Sequence, residues 1–259
     1  MALKHLTLAA ASALIALPLA AQETPRAPSS DLSPQQRLQL RREIRDFLVE
    51  HPEVLLEALQ ILEERQAAEA ATADERLVAQ HSAAIFEDGY SFVGGNPEGD
   101  LTVVEFSDYR CPYCKRAHPD IDRLIAEDGN IRLITKEYPI LGPDSMVAGR
   151  MALAAVSLDE SKFKELKDQL MTFRGNLTET AAYRIAGRVG YDIRELRARA
   201  DSPEIAEQIR ANHALAQTLG LRGTPSFIVG DEILRGFLPY DDMVQVVATV
   251  RARQQSQAN

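Results

Sequence analysis

The stretch Leu101-Thr-Val-Val-Glu-Phe-Ser-Asp-Tyr-Arg-Cys-Pro-Tyr-Cys114 decides the fold of this chain. Leu101 to Phe106 is a short, β-branched run bounded by turn residues, the pattern of a buried parallel strand. The cysteines follow it directly, and Pro112 to Glu127 carries a helical pattern that stops at Asp128-Gly129. Strand, loop and helix together put Cys111 at a helix N-terminus, where free backbone N–H groups and the macrodipole favour a thiolate over a thiol. Cys114 falls one turn further in, within reach of the Cys111 sulfur but shielded by the helix. A thiolate is the attacking species in disulfide exchange, so position makes Cys111 the nucleophile and Cys114 the resolving residue. Pro112 suits the first turn because it needs no N–H partner there, and Tyr113 offers a polar edge beside the thiolate.

These are the only two cysteines of 259 residues. A structural disulfide is useful where it closes a long loop, and this ring closes almost nothing, so the spacing speaks for redox chemistry. The competing reading is half a zinc site. Tetrahedral zinc needs four ligands, and only His118 lies near in sequence, so no metal is assigned. No cofactor is expected beyond the redox-active pair itself. His118 is expected to point to solvent, and His51, His81 and His213 belong to no constellation.

Outward from this centre, Ile131 to Tyr138 is a second strand, and Phe86 to Val93 is expected to hold a short one before a loop at 94–100. From about Asp144 to Gln217 the periodic segments are helical: Met146 to Val156, Phe163 to Met171, Thr180 to Val189 and Glu204 to Leu219. Ser226 to Val229, Gly230-Asp231 and Glu232 to Leu234 read as a hairpin, and a last helix runs from about Asp241 to Arg253. The order of elements is that of an α/β layer.

The chain starts with a short basic segment and an apolar run, Leu6 to Leu19, ending at Ala20-Ala21, which is the pattern of a secretory signal with cleavage after Ala20 or Ala21. An uncleaved anchor is the alternative. Residues 22–33 form a polar, Pro- and Ser-containing leader expected to be flexible. Loss of 1–21 removes Lys4 and no acid, leaving 28 Lys and Arg against 38 Asp and Glu, a net charge of −10. Such a chain has no electrostatic reason to bind nucleic acid or anionic lipid.

Ser33-Pro34 looks like an N-cap followed by Pro at the first helical position. Leu40, Ile44, Phe47 and Leu48 make one apolar stripe, and beyond Pro52 a second helix carries Leu55, Ala58, Leu59 and Leu62. These stripes cannot bury one another well and want a partner surface. Residues 34–85 are therefore read as a helical oligomerisation segment, and a chain starting near Ser82 as one that still folds.

The residues around the cysteines, with Glu105 six positions before Cys111, resemble the active-site strand and loop of DsbA-like thioredoxin-fold proteins. Gly223-Thr224-Pro225-Ser-Phe-Ile resembles that family's loop with a cis-proline facing the cysteine pair, and Pro119 matches the kink of its active-site helix. The helices of 144–217 match the insertion typical of DsbA-like chains, and 34–80 is similar to the oligomerising segment of ScsC-like periplasmic proteins. The resemblance implies an α/β fold, a thioredoxin domain over 86–255 with a helical insertion, preceded by an N-terminal helical segment. It implies that Glu105 lies buried beneath the cysteines with a raised pKa and relays the proton of Cys114. It implies too that the Thr224 backbone, exposed by a cis bond to Pro225, pairs with an extended substrate beside Pro112 and Tyr113. Read without the family, Glu105 is open to being an edge-strand charge facing water, and Thr224-Pro225 an ordinary trans turn.

The activity implied is that of a periplasmic thiol-disulfide oxidoreductase, oxidase or isomerase, acting on unfolded or misfolded exported proteins through a mixed disulfide at Cys111. Its implied partners are a membrane redox protein of reductase or oxidase type and further copies of the chain. Strongly oxidising relatives carry His where Tyr113 stands here, so a very oxidising potential is not implied. Two rivals stand beside this reading: a copper(I)-binding or metal-tolerance protein using the same two sulfurs, and a structural oligomer whose thioredoxin domain only docks partners.

Overall fold

The computed structural model describes residues 32–258. The expected signal, 1–21, and all but the last two residues of the expected leader lie outside the described residues. The chain divides into two compact units, one ending at Ile61 and one from Leu62 onward.

The first unit holds α1 (Pro34–Glu50) and the start of α2 (Glu53–Gln80). Ser33 caps α1 in a reciprocal box: its hydroxyl accepts from Gln36 N–H at 3.3 Å while Gln36 Oε1 accepts from Ser33 N–H at 2.9 Å. Nothing in α1 is buried. Leu40, Ile44, Phe47, Leu55, Leu59 and Leu62 are all between 44 and 55% exposed.

The second unit is built on a five-stranded sheet in the order β1 (Phe92–Gly95), β3 (Ile131–Glu137), β2 (Leu101–Ser107), β4 (Ser226–Val229), β5 (Glu232–Arg235). Among the described strands only β2 and β3 are parallel, joined across α4 (Pro112–Asp128) and paired from Leu101↔Ile131 to Ser107↔Glu137. Gly129 ends α4 at φ 69°, the left-handed position a glycine accepts without a Cβ penalty. Period-two alternation splits β2 between two cores. Val103 packs with Leu133, Phe227, Ala117 and Ile121 of α4, and Val247 of α10 (Tyr240–Ala258). Val104 and Phe106 pack on the other face with Ile134, Ile228, Leu215 and Leu219.

Between β3 and β4 lie α5 (Pro143–Asp159), a 3-10 turn at Glu160–Lys162, α6 (Phe163–Thr172), α7 (Glu179–Val189), α8 (Ile193–Ala200) and α9 (Pro203–Thr218). The helix α8 has no counterpart in the periodicity reading, because its eight residues bury only Leu196 and Ala200 and so carry almost no apolar stripe. The insertion has its own core around Met151, Leu166, Leu170 and Ile185, and Cys111 and Cys114 belong to that core.

Two expectations change. The strand expected over 86–93 is confined to Phe92–Gly95, after a short helix α3 (Ser82–Phe86). Between them Asp88 makes a turn of its own, accepting from Tyr90 N–H, Ser91 N–H and Ser91 Oγ at 3.1, 3.0 and 2.6 Å. The pattern groups 62–85 with the upstream helices, whereas the structure packs that part into the second unit. Val78 and Ile85 are buried with Val104 and Phe106, and Asp74 receives both guanidinium nitrogens of Arg235 at 2.7 Å. The Ala- and Glu-rich sequence hides this because few large residues make the contact.

Candidate active site

The loop between β2 and α4 is set by one buried carboxylate. Asp108 accepts from Arg110 N–H at 2.8 Å, Ile140 N–H at 2.9 Å, Leu141 N–H at 3.1 Å and Ser145 Oγ at 2.9 Å. It ties the cysteine loop to the segment leaving β3 and to the first turn of α5. Cys111 is left as the N-cap of α4, with Pro112 at its first position. Asp108 has no role assigned from sequence alone; its place two residues before an N–H it can close on is the signal for such a turn.

Both cysteines are free thiols, Cys111 being 5% exposed and Cys114 wholly buried. As a thiol, Cys111 Sγ donates to the Thr224 carbonyl at 3.1 Å. As a thiolate it is held first by the Cys114 thiol, then by the Thr224 side chain and the backbone N–H groups of Cys114 and Tyr113, which outweigh burial and bring its pKa down to about 5. Cys114 moves the opposite way, pushed far up by burial, by its hydrogen bond to Cys111 and by the Glu105 carboxylate. The asymmetry is what position on a helix terminus produces. At mildly acid pH a thiol-alkylating reagent is therefore expected to label Cys111 alone, and equal labelling of Cys114 in intact-mass spectra would remove the two roles.

The remaining expected residues come together around this pair. The Thr224–Pro225 peptide bond is cis, and Thr224 faces Cys111 across the site. Tyr113 is 58% exposed, its ring centroid 6.3 Å from that of Phe237, over which the Arg116 guanidinium sits at 4.5 Å. Glu105 is not an edge charge: it lies on the central strand and is 1% exposed. It shares the β2 face that α4 covers, and its charge bears on Cys114. Its Oε2 accepts from Lys167 Nζ at 2.8 Å, and its Oε1 has no hydrogen-bond partner among the described residues.

Lys167, brought by α6, was not legible as a site residue. Its ammonium is 3% exposed and also donates to Thr135 Oγ1 at 2.9 Å, so the insertion is pinned to β2 and β3 through one buried ion pair. Beside it, Tyr109 Oη donates to Glu137 Oε1 at 2.7 Å, and burial pushes the Glu137 carboxyl up to about 8. His118 also departs from expectation. It is 5% exposed, with Nε2 3.0 Å from Asp168 and 3.5 Å from Asp122. A helix face four residues on from Cys114 is the covered one, and α6 covers it. Lys164 Nζ spans the same two carboxylates at 3.0 and 2.5 Å and balances one of their two charges.

The family described as DSBA-like thioredoxin domain matches residues 102–248, and the copper resistance protein ScsC N-terminal domain matches residues 36–69. The chain belongs to the DSBA-like thioredoxin family. Among solved structures it is similar to a thioredoxin-like oxidoreductase from Silicibacter pomeroyi, at 42% identity and a TM-score of 0.63, covering 66% of this chain and 97% of that one. The thiol-disulfide exchange protein α-DsbA2 from Wolbachia pipientis is 27% identical with a TM-score of 0.66, covering 70 and 98% of the two chains. Proteus mirabilis ScsC in a transitional conformation, 27% identical with a TM-score of 0.63, covers 86% of this chain and 98% of its own. The curated relatives it matches first are much longer. It is 32% identical to the Na(+)/H(+) antiporter NhaA 1 of Salinispora arenicola over 139 residues, 53% of this chain but only 21% of that protein.

Proposed function

We propose that the chain is a periplasmic thiol-disulfide oxidoreductase that works on unfolded or misfolded exported proteins. The observation that carries this is the division between two sulfurs on one helix: a thiolate at the N-cap opposite Thr224, and a buried thiol one turn behind it. The Cys111 thiolate attacks a substrate disulfide, forming the Cys111–substrate bond and releasing one substrate thiolate. Cys114 gives its proton to Glu105 and attacks Cys111 Sγ, which closes the 111–114 disulfide and releases the second substrate thiolate. Two electrons pass to the substrate, and the reverse sequence oxidises a dithiol. In isomerisation another substrate thiolate attacks the mixed disulfide first and Cys111 leaves reduced. Pro225 and Thr224 flank the substrate strand, and Pro112 and Tyr113 its far side. No further cofactor is invoked.

The exposed stripes of α1 and early α2 support assembly of several copies, since contiguous apolar surface of this kind is covered in stable proteins. Several Cys111 sites held together suit isomerisation, which needs a reduced resting state and hence a membrane reductase as partner rather than an oxidase. A chain starting at Leu62 is expected to fold, to be monomeric by light scattering, to keep insulin reduction and to lose most reactivation of scrambled ribonuclease. A chain starting at Ser82 is expected to be less stable by about 1.5–3 kcal/mol through loss of the Val78 contact alone. Cys111→Ser is expected to abolish both activities. Insulin reduction by that variant would defeat the proposed chemistry, and a truncated chain that isomerises as well as the parent would defeat the role of assembly.

A further inference from the structure

Beside the Cys111–Thr224 contact lies a cavity of about 470 Å³ whose wall includes Arg222, Thr224, Ser226 and Arg235, with Gly220, Gly223 and Gly236 leaving the space open. Its charge runs against that of the protein. The chain carries 38 acids and 29 Lys and Arg, yet among the described residues no acid lines this wall and two arginines do. The two guanidiniums differ. Arg235 is committed, giving both terminal nitrogens to Asp74 at 2.7 Å and one also to the Leu219 carbonyl at 3.0 Å. Arg222 is exposed and makes no ion pair among the described residues. Ser226 donates its proton to the Gly223 carbonyl at 2.8 Å. The cation still open to a ligand is therefore Arg222.

A substrate strand lying along Thr224 advances about 3.3 Å per residue, so a side chain one or two positions from the reacting cysteine reaches this wall. We propose that the cavity is a subsite for an acidic side chain flanking the substrate cysteine, with Arg222 as the residue that selects it. This rests on the thiol-disulfide reading above and names the substrate class for the same site. A planar guanidinium pairs a carboxylate through two parallel hydrogen bonds, which a neutral amide of the same shape cannot match. Arg235, neutralised by Asp74, does not compete for the ligand.

The test uses the full-length oxidised protein and peptides with one cysteine flanked at one or two residues by Glu, Gln or Lys. Rate constants for opening the 111–114 disulfide are normalised to each peptide's thiolate concentration, which removes the effect of the neighbour on the peptide's own thiol. The Glu peptide is expected to react roughly two- to fivefold faster than the Gln peptide at low salt, the size of an exposed ion pair, and the ratio is expected to shrink as salt is added. Arg222→Ala should bring the ratio close to one, and Arg222→Glu should turn the preference toward the Lys peptide. Arg222 has no ion-pair partner to lose among the described residues, so these variants are expected to fold. Equal normalised rates for Glu and Gln peptides, or a ratio unchanged in Arg222→Ala, would overturn the subsite. Absence of exchange with every peptide, in protein shown by mass to hold the disulfide, would overturn the thiol-disulfide reading along with it.

Discussion

Lys167→Met is expected to destabilise the protein by about 3–5 kcal/mol, the cost of leaving one member of a buried ion pair uncompensated. The pair is closed on both sides: the Lys167 and Glu105 side chains are 3 and 1% exposed, their contact is 2.8 Å, and the second Lys167 partner is the buried Thr135 hydroxyl. Among the described residues Glu105 Oε1 has no partner to fall back on. Removing the ammonium therefore leaves a carboxylate with neither water nor counter-charge, held inside a sheet that cannot open to admit either. The double variant Glu105→Gln/Lys167→Met removes both charges and keeps the shapes, so it should recover most of the loss, because replacing a whole buried pair is far less costly than breaking it. Denaturant unfolding of the two variants and the parent decides this. A single variant that loses under about 1 kcal/mol would mean that water reaches Glu105 and that the pair is not dry.

The same pair shows where sequence reading stops. The Cys111 and Cys114 roles were legible because they follow from where a helix begins, and a strand, two turn residues and a proline at N1 locate that beginning. The edges of β2, β3 and the β4–β5 hairpin were legible for the same local reason. Lys167 was not. Its apolar neighbours Leu166 and Leu170 announce a helix, but nothing local says that a lysine between them turns inward, since its partner is 62 residues away in sequence. His118 fails in the same way: without α6 packed on α4 it would face water, and only tertiary contact buries it against Asp168. The boundary at 62 was missed because Asp74 and Val78 make few but decisive contacts from an Ala-rich helix whose composition suggests none. Local grammar places the sulfurs; the long-range charges around them come only with the fold.

The reduced protein is expected to gain stability over the oxidised one as pH rises from about 5 to about 9, and the gain should come from Cys111. The folded Cys111 thiol is drawn down from 9.0 to about 5, so its ionised form is favoured by folding. A depressed acid contributes stability that is present above its unfolded value and is lost as pH falls through its folded value. Across that window the reduced folded state binds fewer protons than the reduced unfolded chain, and its unfolding free energy climbs. Glu137 works in the opposite sense. Its carboxyl is raised from 4.5 to about 8 by burial, so its contribution is present below about 4.5 and lost as pH rises toward about 8. Glu137 is common to both redox forms, so it cancels from their difference; the raised Cys114 thiol, present only in the reduced form, offsets the gain only as pH nears 9, which leaves the Cys111 effect below that. After allowance for solvent screening at a partly accessible sulfur, the difference should amount to a few kcal/mol. Unfolding of both forms across this pH range measures it, with Glu137→Gln as a check that both curves lose their common fall. A flat difference would show that the helix N-terminus does not hold a thiolate, and the assignment of Cys111 would go with it. The expected slope bears on the choice between oxidase and isomerase. A dithiol whose reduced form is stabilised is the better oxidant, but it is also the dithiol that rests reduced when a partner keeps the compartment's supply of electrons open. Stabilisation of the Cys111 thiolate by the Cys114 thiol and by backbone N–H groups therefore raises the potential of the 111–114 pair, and its partner sets whether the pair rests reduced.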